Sequence, residues 1–321
     1  MMDMNFSVTL NAPDGELAVI RARGADAGTF LQGQLTQDVV LMKTDEARLA
    51  AWCSAKGRML ASFIVLKHSS EEFLLILSRD LLATTLKRLK MFVLRAKCEL
   101  TDISSEVSVD GLLGSAASRL QPTIDSIALH AGSMRVKGSF ESEIVISLPP
   151  GHLAGKPVAR ALKIRSAPPE APSDDSQWAT WNALEISSGI ARLSAAVSEA
   201  FVPQMLNYES TAGVNFKKGC YPGQEVVARS QFRGTLKRRA FIATSEQALH
   251  AGQEVFDSRH GDESDQPCGQ IAQASQHPEG GFIAIVSMQI SAQDSPALHA
   301  GSSDGALLKL QALPYELLAD I

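Results

Sequence analysis

Lys217-Lys218-Gly219-Cys220-Tyr221-Pro222-Gly223-Gln224-Glu225, continuing through Arg229 to Arg233-Gly234, is the most informative run of this 321-residue chain. Its glycines and proline disfavour the middle of a regular helix or of a central strand, so the backbone has to turn tightly here. Cys220 stands at that bend beside two lysines, which places it at a surface or a cleft. Neighbouring cations such as Lys217, Lys218 or Arg229 favour thiolate over thiol, and a thiolate is the better nucleophile or metal ligand. The alternative is a partly buried cysteine that only packs a loop. Gln224-Glu225 opens a helix with Val226, Val227 and Ala228, and Arg229 follows Glu225 by four residues. That spacing reads either as a helical ion pair worth about 0.2–0.5 kcal/mol, or as a ligand site. In the second reading Glu225 accepts from the amino groups of a heterocycle while Arg229 or Arg233 meets a carboxylate.

On the carboxyl side of the motif the text becomes a series of short strands between Gly, Asp and Ser loops: Phe241–Ala243, Glu254–Phe256, Gly269–Ala272, Phe282–Val286 and Ala306–Leu310. Regular short strands of this kind predict a small β-barrel over 238–321. On the amino side, Phe201 to Asn207 shows no clear period and reads as an ordered loop. Before it, Asp174 or Ser176 caps a helix through Trp178, Trp181, Leu184 and Ile186 that Gly189 ends. Residues 167–176 hold three prolines and read as a linker or crossing loop.

The first hundred residues read as an α+β layer. A strand at Leu17–Ile20 precedes a short helix that Asp26 can cap; Ala50–Cys53, Met59–Leu66 and Phe73–Leu77 follow as strands. Ser78 then caps a helix whose Leu82, Leu86, Leu89 and Val93 form one apolar stripe. Gln32-Gly33-Gln34-Leu35-Thr36-Gln37-Asp38 is too polar for a core helix and reads as an exposed loop, or else as one wall of a polar ligand site. Residues 107–166, with strands expected at Val107–Val109, Ile127–Val136 and Ile144–Leu148, repeat the style more weakly. The expected organisation is a first α+β module over 1–105, a second over 106–237 that carries the motif, and the barrel.

The chain is 45% hydrophobic with a formal charge of −5, so it has no general attraction for nucleic acid or anionic membrane. Lys217 to Arg239 reverses the sign locally: seven cations against Glu225 make +6, which leaves −11 on the remainder. Such a segment reads as a local docking site for an anion. The four cysteines, Cys53, Cys98, Cys220 and Cys268, show no zinc spacing, which predicts neither a disulfide scaffold nor a pre-built metal site. Met1 to Phe6 has no basic region before an apolar one, and nowhere do eighteen apolar residues run together. The expectation is a cytoplasmic protein without membrane contact. No heptad or long exposed apolar stripe points to assembly, so a monomer is expected.

The string from Lys218 to Glu225, with Arg229, Arg233 and Gly234 behind it, resembles the signature of the YgfZ family of folate-binding proteins. Matches extend over the whole length: Gly24-Ala25-Asp26, Phe30-Leu31-Gln32-Gly33-Gln34, Lys56-Gly57-Arg58, Trp181 with Gly189, Phe201-Val202-Pro203-Gln204 and the closing Leu313-Pro314-Tyr315. The resemblance implies a fold related to the glycine-cleavage T-protein, in which two interleaved ferredoxin-like modules surround a central folate cavity and a β-barrel follows. It implies tetrahydrofolate, or a one-carbon-substituted folate, as cofactor. The implied role is to keep iron–sulphur enzymes active, including those that modify transfer RNA. Iron–sulphur proteins or their assembly factors are the implied partners, and Lys217 to Arg239 is a place for a weak transfer-RNA contact.

Carried over position by position, Cys220, expected at the mouth of the folate cavity, and Lys218 become catalytic candidates, and Trp181, Tyr221, Gln224, Glu225 and Arg229 become folate-binding candidates, Trp181 as a stacking aromatic where the residues alone also allow plain core. Two positions depart from related patterns. Leu17 stands where a bacterial relative has an aromatic folate contact. Ala61 and Ser62 stand where T-proteins carry acidic residues that help activate the folate, and neither is a general acid or base at neutral pH. That disfavours the alternative enzyme reading, a folate-dependent aminomethyl or one-carbon transferase with a merely structural Cys220.

Overall fold

The computed structural model describes residues 6–12, 15–44, 46–120, 134–139, 143–170, 175–232, 236–259 and 266–318. In chain order the first part runs β1 (Ser7–Thr9), β2 (Leu17–Arg23), α1 (Ala27–Gln32), β3 (Glu46–Cys53), β4 (Met59–Lys67), β5 (Glu72–Ser78), α2 (Leu82–Val93) and β6 (Glu99–Asp102). It continues with β7 (Ser108–Leu113), α3 (Ser115–Leu120), β8 (Met134–Ser139), β9 (Glu143–Leu153), β10 (Lys156–Arg165), α4 (Asp175–Ser187) and α5 (Gln224–Phe232). The last part is all strand: β11 (Arg238–Ser245), β12 (Glu254–Asp257), β13 (Gly269–Gln276), β14 (Phe282–Gln289), β15 (Leu298–Ala300) and β16 (Ala306–Gln311). Part of the strand expected from Ile127, the cap position Asp174, and the motif's Arg233 and Gly234 lie outside the described residues.

Strands β1 to β10 form a ten-stranded sheet in the order β1-β7-β10-β9-β8-β3-β4-β5-β2-β6, and β11 to β16 close a six-stranded barrel. The α+β class with a terminal barrel, expected from the sequence, is what the chain adopts. The two halves of the large sheet meet where β3 pairs with β8, Glu46 opposite Arg135 and Ala47 opposite Met134. Strand β1 crosses to the far half and pairs with β7, so the halves are interleaved rather than consecutive.

The hydrophobic runs of β2, β4 and β5 are nearly continuous because both faces of this part of the sheet are covered. The period of two still sorts them. Ala18, Ile20, Phe63, Val65, Phe73 and Leu75 join one core with Leu89 of α2 and Ile283 and Ile285 of the barrel. Their neighbours Leu17, Val19, Leu66, Leu74 and Ile76 join a second core with Val109, Ile146 and Ile164 of the far half. Each Val, Leu, Ile or Phe among them, fully buried, contributes about 1.5–3 kcal/mol. The second core is therefore where the two half-sheets face each other.

Two capping expectations change. Ser78 precedes a 3-10 turn, Arg79–Leu81, rather than α2 itself, whose cap position is Leu81, and its hydroxyl donates to the Leu193 carbonyl at 2.5 Å. Asp26 precedes α1 but accepts from the Lys97 amide at 2.7 Å. In both cases the tertiary partner replaces the local one. The polar Gln32–Asp38 segment is also not an exposed loop. Leu35, Thr36, Gln37 and Asp38 are buried, because Thr36 donates to the Gly213 carbonyl at 2.7 Å and Gln37 to the Ala212 carbonyl at 2.7 Å. Its polar side chains are there to satisfy buried backbone groups. Among the described residues no helix is long and apolar enough to cross a membrane.

Candidate functional site

Helix α4 lies against β7 at Gly111, where an added Cβ would come within 2.6 Å of the Trp181 ring. The missing side chain lets the indole settle on the strand, buried and on the inner side of the sheet. The Arg160 guanidinium of β10 sits 4.7 Å from the centre of that ring, a cation–π geometry. One helical turn after Trp181, Glu185 projects from the same side. Its Oε2 accepts from Arg192 Nε at 2.9 Å and from Gln273 Nε2 of β13 at 2.8 Å, while Arg160 lies 3.8 Å from its Oε1.

These groups border a cavity of about 60 Å³, with Leu17, Leu49, Ile64, Ile76 and Leu162 as apolar walls. Ser62 and Tyr208 also reach it, but their hydroxyls are committed. Ser62 accepts from the Leu193 amide at 2.9 Å, and Tyr208 donates to the Ala191 carbonyl at 2.7 Å. Burial alone would raise the Glu185 carboxyl, but Arg192, Arg160 and the two hydrogen bonds hold it below its ordinary value. Burial pulls Arg160 down to about 10 against the support of Glu185. Burial also pulls on Arg192, but Glu185 and Glu16 carry it above the usual arginine range. The result is a half-buried ion cluster that holds Glu185 in its charged form; among the described residues no donor bonds its Oε1, and Arg160 lies 3.8 Å from it.

Arg192 lines a second, outer cleft of about 460 Å³ together with Glu16, Arg79 and Asp80. Its guanidinium, 2.6 Å from Glu16, thus separates the inner cavity from that cleft. Sequence reasoning found Trp181 and Leu17 at the cavity and missed Glu185, Arg160 and Arg192. The i, i+4 spacing from Trp181 was a usable signal for Glu185; the two arginines arrive from β10 and from beyond the helix, with no local signal.

The motif forms a different place. Among the described residues Lys218, Cys220, Tyr221, Gln224, Glu225 and Arg229 do not line the cavity. The Lys218 ammonium donates to the carbonyls of Gln32 and Leu35 and sits 5.0 Å from the centre of the Tyr221 ring. It fastens the buried polar segment to the motif. Gly223, at φ +77, lies so close to the β3–β4 turn that an added Cβ would stand 2.4 Å from the Ser54 carbonyl oxygen and 2.6 Å from Gly57. The Lys56-Gly57-Arg58 turn and the Pro222-Gly223 bend are therefore one packed unit, backbone on backbone. Cys220 is exposed on it.

The other three thiols are poor nucleophiles: burial pushes Cys53 up to about 12, burial and Asp26 push Cys98 up to about 11, and burial raises Cys268. Glu225 and Arg229 form the i, i+4 pair at 2.5 Å with side chains 82% and 66% exposed. Of the seven cations counted from Lys217 to Arg239, Lys218 and Arg239 are buried and Arg229 is paired. The local +6 of the sequence is thus not a surface charge of +6. Among the described residues there is no group of three or more His, Cys, Asp or Glu placed to hold a metal ion.

Burial pulls the Lys218 ammonium down to about 8 from 10.5, with Asp38 and Cys220 acting the other way. A neutral amine still has two N–H groups for its two carbonyls. Because the unfolded chain keeps the proton longer than the folded one, stability from this group rises between pH 8 and 10.5. The melting temperature of the wild type relative to Lys218→Met should accordingly climb through that window and stay flat below it. Parallel curves over the window would show that the ammonium remains charged.

Residues 15–144 match the family model described as the GCVT N-terminal domain. The tRNA-modifying protein YgfZ of Colwellia psychrerythraea is 30% identical over 309 residues, 95% of this chain and 93% of that protein. The protein of the same name from Escherichia coli is 31% identical over 313 residues, 95% of this chain and 92% of that one. Among solved structures, the glycine cleavage system aminomethyltransferase T of Bartonella henselae superposes with a TM-score of 0.66, covering 96% of this chain and 85% of that one. The identity there is 14%, so this likeness concerns the fold.

Proposed function

The chain belongs to the YgfZ family, and we propose that it binds a reduced folate in the central cavity. On this reading it serves iron–sulphur enzymes that modify transfer RNA, and Cys220 is its working thiol. Relatives named as tRNA-modifying proteins support the link to transfer-RNA modification. The observation that carries the folate reading is Glu185: a half-buried carboxylate held in its charged form, its Oε1 without a close donor among the described residues, at the rim of an apolar and aromatic cavity. A pterin presents adjacent N–H donors on a flat ring, which fits an acceptor oxygen between the Leu17 and Trp181 walls.

The present volume of about 60 Å³ is far below the ~300–1,000 Å³ of a ligand pocket. Binding therefore requires the wall to move, and Arg192, shared with the outer cleft, is the residue whose displacement joins the two spaces. When bound, folate supplies a carrier for a one-carbon unit. The protein's own residues orient it: Glu185 accepts from its edge, and Arg160 and Arg192 keep Glu185 charged. Lys218 acts as a positioning residue for the motif. Cys220, on the exposed packed unit, meets a partner protein or its cluster rather than the cavity interior. Ser62 has its hydroxyl engaged and Ala61 has none, which ranks this reading above aminomethyl transfer.

Titration with tetrahydrofolate followed by tryptophan fluorescence tests it. Wild type should show a saturable change, Glu185→Gln at least 10-fold weaker binding at unchanged circular dichroism, and Cys220→Ala wild-type affinity. Cys220→Ala should nevertheless fail to restore iron–sulphur-dependent transfer-RNA modification in a strain lacking the protein. No response of the wild type to any reduced folate would remove the cofactor, and full rescue by Cys220→Ala would remove the thiol.

A further inference from the structure

The end of α2 and the turn into β6 carry Lys87, Arg88, Lys90, Arg95 and Lys97, with no carboxylate between Asp80 and Glu99, in a protein of net charge −5. Lys87, Lys90, Arg95 and Lys97 are exposed, and among the described residues none of the four forms an ion pair. Interleaved with them, Met91 is 60%, Phe92 45% and Leu94 88% exposed. The apolar stripe that α2 needs for folding, Leu82, Leu86, Leu89 and Val93, already packs on the first core. These three side chains are therefore in excess of what the fold uses. Leu94 also holds φ +46, a backbone state that costs a non-glycine residue about 1–3 kcal/mol.

We propose that this surface binds RNA bearing unpaired bases, with Lys87, Lys90, Arg95 and Lys97 on phosphates and Phe92 stacked on a base. Exposed cations and apolar groups alternate along the chain from Lys87 to Lys97; on α2, Met91 lies one turn from Lys87, whereas Phe92 projects from the flank opposite Lys90. An interfacial membrane helix instead separates them into opposite faces, and the apolar face of α2 is already inside the protein. Alternating phosphates and π-faces are what a single strand offers. Arg88, 5.6 Å from the centre of the Trp52 ring, ties the surface to β3. Trp52 in turn bridges to Leu35, whose carbonyl Lys218 holds.

The test is fluorescence anisotropy of a labelled transfer-RNA transcript across potassium chloride concentrations. Four phosphate contacts predict a slope of log affinity against log salt near −3. Lys90→Ala with Arg95→Ala should bring it to about −1.5. Phe92→Ala should weaken binding about 10-fold at unchanged slope. All substituted positions are exposed, so melting temperature and folate titration should match wild type, which keeps a failure here separate from a failure of the folate reading. Absent or salt-independent RNA binding overturns the proposal, as do variants that bind like wild type. So does a result in which the variants lose adsorption to phosphatidylglycerol vesicles and keep RNA binding.

Discussion

Glu185→Ala should lower the unfolding free energy by about 1–3 kcal/mol, because buried Arg160 and half-buried Arg192, which keeps its pair with Glu16, lose the carboxylate they share. Glu185→Gln keeps the volume and the hydrogen bond from Arg192 but loses the charge, so its loss should be smaller and still measurable. The pH dependence follows from the sign of the shift. The folded carboxyl lies below its ordinary 4.5, so the unfolded chain takes up a proton first as pH falls. The advantage of wild type over Glu185→Gln is full above pH 4.5 and shrinks below it. Urea midpoints at pH 7 and pH 4 check both points; a difference under about 1 kcal/mol at pH 7 would mean that the cluster is solvated. Because Arg160 lies over Trp181, the same substitution should also change the tryptophan emission.

The second large effect belongs to the motif. Gly223→Ala requires a Cβ where the Ser54 carbonyl oxygen and the Gly57 backbone already stand, at a φ of +77. Strain at such a φ adds about 1–3 kcal/mol and overpacking a similar amount, so a loss of about 2–6 kcal/mol is expected. Backbone atoms are the obstacle, so no rotamer change relieves it. If the chain stays folded, the bend must lift off the β3–β4 turn. Amide exchange from Gly219 to Val226 should then accelerate while exchange in β11 to β16 stays as in wild type. A Gly223→Ala protein with unchanged stability and exchange would show that the two turns are not packed together. Gly219→Ala is the control: an added Cβ there meets nothing within 4 Å, and only a small effect is expected.

Both predictions bear on how much of this protein was legible in its sequence. Period-two patterning was enough for the strands of the first half and of the barrel, since Phe63, Val65, Phe73 and Leu75 face one core whatever lies beyond it. The turn at Gly219–Gly223 was legible because glycine and proline act on the backbone locally. So was the exposure of Cys220. Capping was not: Ser78 and Asp26 have the right residue types, yet the Leu193 carbonyl and the Lys97 amide outcompete the helix ends for them. The polar Gln32–Asp38 run looked solvent-facing for the same reason, as its partners at residues 212 and 213 are far away in the chain.

The motif that opened the reading is thus divided by the tertiary structure. Sequence by itself determined that Lys218 to Gly223 is a turn with an accessible thiol, because the residue types dictate the backbone there. It also determined that a barrel follows, through strand spacing alone. Only the fold decided that Lys218 is a clamp on two carbonyls, that Glu225 and Arg229 face solvent, and that the half-buried charge cluster sits at Glu185, Arg160 and Arg192 instead. Those three side chains meet across 32 residues of chain, and the cost of desolvating them is met only when β10, α4 and the segment after it converge. Such a convergence has no signature in any local window of residues.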